Sequence, residues 1–165
     1  MMATAALAVA LSACSSGSSG VAPNPVPTPS PSSIVTLDCA ASIEAPETLP
    51  SGYAEVLSAV AVEDRQLQVS QGGDQYRLFA KTGLMVRAEQ ESTLTVRGRV
   101  GIRWGNQPLP WASTLQIPAC PAKGGADWLV YPGGFSVDEP QCVPLVVKAD
   151  GKQQTRSMPV GTACP

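Results

Sequence analysis

Proline leaves this chain few ways to be helical. Its 16 prolines include Pro46, Pro50, Pro108, Pro110, Pro118, Pro121, Pro132, Pro140, Pro144 and Pro159, spread through the sequence after residue 34. Each removes a backbone donor and its ring collides with the preceding helical turn, so long helices are hard to place between such breaks. The chain must find its core with short extended segments instead.

Hydrophobic patterning agrees. From Thr93 to Trp104, Leu94, Val96, Val100, Ile102 and Trp104 share one parity and Thr93, Thr95, Arg97, Arg99 and Arg103 the other. That period of two puts one face in a core and the other in solvent, with Gly98 and Gly101 marking a bend that carries the strand between sheets. Tyr76–Ala80 and Leu84–Ala88 flank Lys81-Thr82-Gly83 and read as a hairpin. Val143–Lys148 and Gln153–Val160 flank Asp150-Gly151, the dipeptide that type I′ hairpin turns favour. Trp111–Ile117, Trp128–Tyr131 and Ile34–Ala40 add strands, and Tyr53–Val62 is read as a strand over a helix because its surroundings are β. The expected fold is all-β, an antiparallel β-sandwich of about eight or nine strands, with jelly-roll and immunoglobulin-like topologies both open.

The five cysteines divide into one and four. Met1–Ala13 is uncharged and too short for a bilayer span, and it ends in Leu11-Ser12-Ala13-Cys14. Small residues at Ser12 and Ala13 admit a peptidase, and Cys14 supplies the thiol for a lipid. The pattern resembles a bacterial lipoprotein signal, with Cys14 as the lipidation site. The basic residue expected before the apolar run is missing, which places the expected start upstream; the bland reading is an apolar strand with a chance cysteine. Residues 15–33 follow, first Ser/Gly-rich and then alternating with Pro23, Pro25, Pro27, Pro29 and Pro31, a composition suited to a spacer and unable to bury a core. The division expected is therefore residues 1–13 as signal peptide, 14–33 as lipidated cysteine and linker, and 34–165 as a single β-sandwich domain.

An odd cysteine in an exported protein needs a use, and lipidation provides it. The remaining Cys39, Cys120, Cys142 and Cys164 are expected to form two disulfides. Zinc is disfavoured, since no pair has the short spacing of a structural zinc site and the chain has no histidine. If the last four strands form a meander, the favoured pairing is Cys142 with Cys164 and Cys39 with Cys120, with Cys164 overshooting and curling back; two other pairings stay open.

Three segments carry a likeness. Leu78-Phe79-Ala80-Lys81-Thr82-Gly83-Leu84 with Val86-Arg87-Ala88, Gly101-Ile102-Arg103-Trp104-Gly105-Asn106, and Trp128–Lys148 resemble, in order, a group of uncharacterised exported lipoproteins of the actinobacterial type. The resemblance implies an exported envelope protein and supplies no catalytic residue.

Chemistry is sparse. Without histidine the commonest general base and metal ligand is absent, and no nucleophile elbow, P-loop or dinucleotide fingerprint occurs. The carboxylate sets Asp138-Glu139, Glu63-Asp64 and Glu89 with Glu91 are read first as solvated turn and edge charges. Binding candidates are Arg97, Arg99 and Arg103, an expected outward stripe able to hold carboxylates or phosphates at two points, and Asn106 and Trp111 in the loop from Trp104, where amides beside aromatic rings suit a glycan. Cross-strand pairing of the arginines with Glu89 or Glu91 is the plainer alternative. Trp104, Trp128, Tyr131 and Phe135 are assigned to core packing. A net charge of -2 argues against nucleic acid. No cofactor or metal is implied. The function expected is a non-catalytic cell-envelope module, attached to the membrane through a lipid anchor, that binds a glycan, an anionic wall polymer or a protein. The alternative is a wall or carbohydrate enzyme using two carboxylates converging in a cleft.

Overall fold

The computed structural model describes residues 33–73, 75–105 and 109–165. The signal segment, Cys14, the linker as far as Ser32, and Asn106 lie outside the described residues. The rest is a β-sandwich with no α-helix among the described residues; a single 3-10 turn, Cys39–Ala41, follows the first strand.

One sheet contains β1 (Ile34–Thr36), β8 (Thr114–Ile117), β6 (Ser92–Thr95), β10 (Gln141–Ala149) and β11 (Lys152–Val160), in that order. The second contains β2 (Tyr53–Val56), β3 (Val60–Glu63), β5 (Leu78–Arg87), β9 (Trp128–Val137) and β7 (Val100–Trp104), with β4 (Ser70–Gln71) beside β5. Every pairing between these strands is antiparallel except β1 with β8. From β5 to β10, each connection crosses from one sheet to the other. The inner faces meet in a core that includes Leu94, Ile102, Trp104, Leu129, Tyr131, Phe135, Leu145 and Met158.

Eleven strands form where eight or nine were expected, and the difference has local causes. Tyr53–Val62 is a hairpin, because Leu57 and Ser58 both take positive φ and the Ala59 amide donates to Val56. Thr93–Trp104 changes sheets at one of its two glycines: Gly98, at φ 77°, separates β6 from β7, whereas Gly101 lies inside β7.

The hairpin expected around Lys81-Thr82-Gly83 does not form. Leu78–Arg87 is one unbroken ten-residue strand, and Gly83 serves contact: a Cβ there would lie 2.8 Å from the Tyr53 hydroxyl. Trp128–Tyr131 likewise runs on through Pro132-Gly133-Gly134 to Val137. Those glycines admit neighbouring backbone at close range, since a Cβ on Gly133 would overlap Arg103 O and one on Gly134 would overlap Ala80 O. The segment read as Trp111–Ile117 becomes β8 only from Thr114. Ala112 first exchanges two hydrogen bonds with Ile102 at the edge of the second sheet, and the chain then crosses over.

Both disulfides are formed, Cys39–Cys120 and Cys142–Cys164. The pairing is the favoured one, but the route for Cys39 differs from a meander, since β8 and β9 occupy different sheets. β1 runs parallel to β8 with Thr36 opposite Gln116, so both chains leave the sheet at the same end and reach Cys39 and Cys120 together. Cys142 stands opposite Pro159, and Cys164 reaches it by turning back at Gly161, whose φ is 73°.

Candidate functional site

The outer face of the second sheet brings together two of the candidates, Arg103 and Trp111. On β7 the core parity belongs to Val100, Ile102 and Trp104, leaving Gly101 and Arg103 facing outward. On β9 and β5 the matching outward residues follow from register. Gly101 pairs with Ser136, which pairs with Phe79; Arg103 pairs with Gly134, which pairs with Lys81. Two rows therefore cross three strands, Phe79–Ser136–Gly101 and Lys81–Gly134–Arg103.

Glycine determines what fills the centre. A Cβ on Gly101 would lie 2.8 Å from the Tyr76 ring and 3.0 Å from Trp111 Cβ, so both aromatics rest on this bare backbone. Tyr76 meets Trp111 edge-on with centroids 5.9 Å apart, and Phe79 lies 5.8 Å from the same indole. The Arg103 guanidinium stacks on the Trp111 ring at 4.1 Å and donates to the Leu109 carbonyl at 3.3 Å. Trp111, Phe79 and Arg103 are half-buried and Lys81 is exposed, while Tyr76 is buried. Burial raises the Tyr76 pKa first, with Asp138 adding to the rise and Arg99 opposing it.

The expected arginine stripe is broken. Arg97 and Arg99 lie in the bend between sheets and only Arg103 is on a strand. Arg99 forms an ion pair with Asp138, the residue that follows β9, where Glu89 or Glu91 was expected. Glu89 sits in a turn at φ 60° with its amide bonded to Cys120 O. Trp111 and Arg103 are brought together; Arg97 is exposed and separate from them. Trp104, Trp128, Tyr131 and Phe135 are buried, as their core assignment required.

Sequence reading missed Lys81, Phe79 and Tyr76. The signal was present, since Leu78, Ala80, Thr82, Leu84 and Val86 alternate with Phe79, Lys81 and Gly83 without interruption. Read as a turn residue, Gly83 hides the strand.

A second Arg–Trp stack lies further along the same sheet. Arg87 is directly opposite Trp128, with its guanidinium 4.4 Å from the ring centroid and an ion pair to Asp127 at 3.0 Å. Other carboxylates also have partners: Glu63 accepts from Arg65 and Thr82, Asp64 from Arg156, Asp150 from Gln90, and Asp38 caps the 3-10 turn at the Ala40 amide.

The first sheet presents a different outer surface. Thr36, Gln116, Thr93, Lys148 and Gln153 form one row across all five strands, along an open groove of about 680 Å³. Glu91 also lines it. Among the described residues, no group of three or more His, Cys, Asp or Glu is placed to hold a metal ion, and no helix is long and apolar enough to cross a membrane. Comparison with protein-family models, with curated proteins and with solved structures finds no match.

Proposed function

We propose that this protein is a cell-envelope lipoprotein, attached to the membrane through Cys14, whose β-sandwich is a non-catalytic extracytoplasmic interaction module. The observation that carries the reading is the use of cysteine. Cys39, Cys120, Cys142 and Cys164 are consumed in two internal disulfides, which suit an oxidising compartment. Cys14 is thereby left as the odd thiol, behind Leu11-Ser12-Ala13 and ahead of a proline-rich spacer. Acyl chains on that residue add ~0.8 kcal/mol of membrane affinity per buried CH2, so two or three chains anchor firmly.

The non-catalytic reading draws support from where the carboxylates go. Glu63, Asp64, Asp127 and Asp138 each face an arginine, Arg65, Arg156, Arg87 and Arg99 in turn, the arrangement of structural charges. The part of the second sheet's outer face that carries Phe79, Lys81, Arg103 and Trp111 is the surface best suited to a partner.

Fractionation tests the anchor. Wild-type protein expressed with a functional export signal should sediment with membranes after a salt wash, and Cys14→Ser should be released to the soluble fraction. Retention of Cys14→Ser on washed membranes defeats the proposal.

A further inference from the structure

We infer that the outer face of the second sheet, with Arg103 and Lys81 as its anion-binding pair, docks an acidic polysaccharide, a sugar polymer bearing carboxylate or phosphate groups. This deepens the interaction-module reading and rests on it for where the polymer is met, while the binding event itself does not require the anchor.

The contrast between the two Arg–Trp stacks carries the argument. Arg87 over Trp128 is electrically closed, because Asp127 accepts from its guanidinium at 3.0 Å. Arg103 lies over Trp111 at 4.1 Å, as close as the other stack, yet its acceptor is a neutral carbonyl, Leu109 O at 3.3 Å. Among the described residues no carboxylate lies within ion-pair distance of Arg103 or of Lys81. A guanidinium has five donors in a rigid fork. Stacking therefore fixes the orientation of Arg103 and leaves most of its donors to an incoming oxyanion, with little rotamer freedom left to lose on binding.

Register sets the spacing. Lys81 and Arg103 flank Gly134 in one row, so their backbones are two strand spacings apart, roughly 10 Å. Gly134 contributes no side chain between them. Two carboxylates flank this row and both are held: Asp138 by Arg99, and Glu63, which lines a pocket with Lys81, by Arg65 and Thr82. Exposed Arg77, one residue before β5, adds a further cation at the rim. The Lys81–Gly134–Arg103 row is locally basic on a chain that is acidic overall, with 11 Lys and Arg against 13 Asp and Glu.

Three features select a sugar polymer as the occupant. Phe79 and Trp111, half-buried and 5.8 Å apart, give an apolar floor beside the cations that suits the C–H faces of sugar rings. Arg103 covers one face of the Trp111 ring, so the group offered there is a cation, which favours acidic over neutral sugars. A lipid surface would be met by protruding apolar side chains. Among the described residues the large exposed ones are Ile34 on β1 of the other sheet and Ile43 beside Val130, both away from this row.

Calorimetric titration of the full chain carrying Cys14→Ser, with both disulfides oxidised, tests the inference. The probes are polygalacturonate, phosphomannan, uncharged dextran and phosphatidylglycerol vesicles. Binding of at least one acidic polymer is expected, weakening as salt screens the contact. Lys81→Ala and Arg103→Ala should each weaken it about tenfold, the loss of one charge-assisted hydrogen-bonded contact. Arg103→Lys should bind more weakly than wild type, and Lys148→Ala on the opposite sheet should bind as wild type. Lys81 is exposed, so its variant keeps the test valid if Arg103→Ala folds poorly. Binding of dextran as tight as that of the acidic polymers, binding to vesicles alone, no binding to either acidic polymer, or unchanged affinity in the Lys81 variant would each overturn the inference. A failed fractionation result for Cys14 leaves these titrations untouched, and failed titrations leave the anchor standing.

Discussion

The indole nitrogen of Trp104 donates to the carbonyl oxygen of Thr82 at 3.1 Å, although β7 and β5 are not neighbours in the sheet. Gly133 lies between them, paired with Trp104 on one side and Thr82 on the other. The side chain reaches across a position where β9 has no Cβ. Phe135, two residues along on the same face, closes the arrangement edge-on at 5.3 Å.

Gly133→Ala should therefore be among the most damaging single-methyl changes in the chain. The new Cβ would overlap Arg103 O and approach Trp104 Cδ1 to 2.6 Å, and backbone cannot give way as a side-chain tip can. A loss of about 3 kcal/mol is expected, the upper part of the overpacking range. Trp104→Phe should cost less, about 1 to 3 kcal/mol, by leaving the buried Thr82 carbonyl without its donor. Urea unfolding of the two variants checks the order; equal stability of Gly133→Ala and wild type would refute the account.

The two disulfides should contribute unequally. Cys39–Cys120 spans a sequence separation of 81 and Cys142–Cys164 one of 22. Loop-closure entropy then predicts a loss of about 4 to 5 kcal/mol for the Cys39→Ala, Cys120→Ala double variant and about 3 kcal/mol for Cys142→Ala, Cys164→Ala. Denaturant midpoints under oxidising conditions measure both, and the reverse ranking would count against a chain-entropy origin.

Stability should decline in alkali. Burial is the leading cause that raises the pKa of Tyr53, Tyr76 and Tyr131 above the ordinary 10.0. The folded protein holds these protons more tightly than the unfolded chain. Their contribution is fully present below about pH 10 and is lost as pH climbs through the raised values. Phenolate absorbance should rise together with unfolding. Complete ionisation of all three in a still-folded protein would contradict it.

Gly151→Ala should destabilise the last hairpin by about 1 kcal/mol. Asp150 and Gly151 take φ 49° and 69°, both left-handed, as a type I′ turn requires. Space is open at Gly151, so the cost is conformational alone. Amide exchange along β10 and β11 should accelerate with distance from the core end. An unchanged exchange pattern would show that the turn does not hold the register.

How much was legible depended on whether a residue's reason was local. The Asp150-Gly151 hairpin is written in two adjacent residues, and it formed with Ala149 opposite Lys152. The core parity of Leu94, Val96, Val100, Ile102 and Trp104 was equally plain, and all five are buried. Gly83 reads as a turn residue and the strand from Trp128 reads as ending at Tyr131, before Gly133 and Gly134, because the causes of these glycines are distant: the Tyr53 ring, the β7 backbone and the β5 backbone. No periodicity carries that information. The binding candidates divide the same way. Trp111 and Arg103 could be named from type, but their stacking depends on the sheet change at Ala112, and Lys81 enters the row only once β5 is continuous.

The placement of the disulfides also decides how the domain would carry tension. A pull entering at Ser33 can peel β1 from β8 only as far as Cys39, where the load passes through sulfur to Cys120. A pull leaving at Pro165 passes from Cys164 to Cys142. Most of the chain, from Ala40 to Ala119 and from Val143 to Ala163, is short-circuited. The stretch left to extend is Cys120–Cys142, which contains β9, the strand bonded on both sides by β5 and β7. Oxidised protein stretched from its ends should yield one short extension, roughly 80 Å at 3.3 to 3.6 Å per residue, and the full length only after reduction.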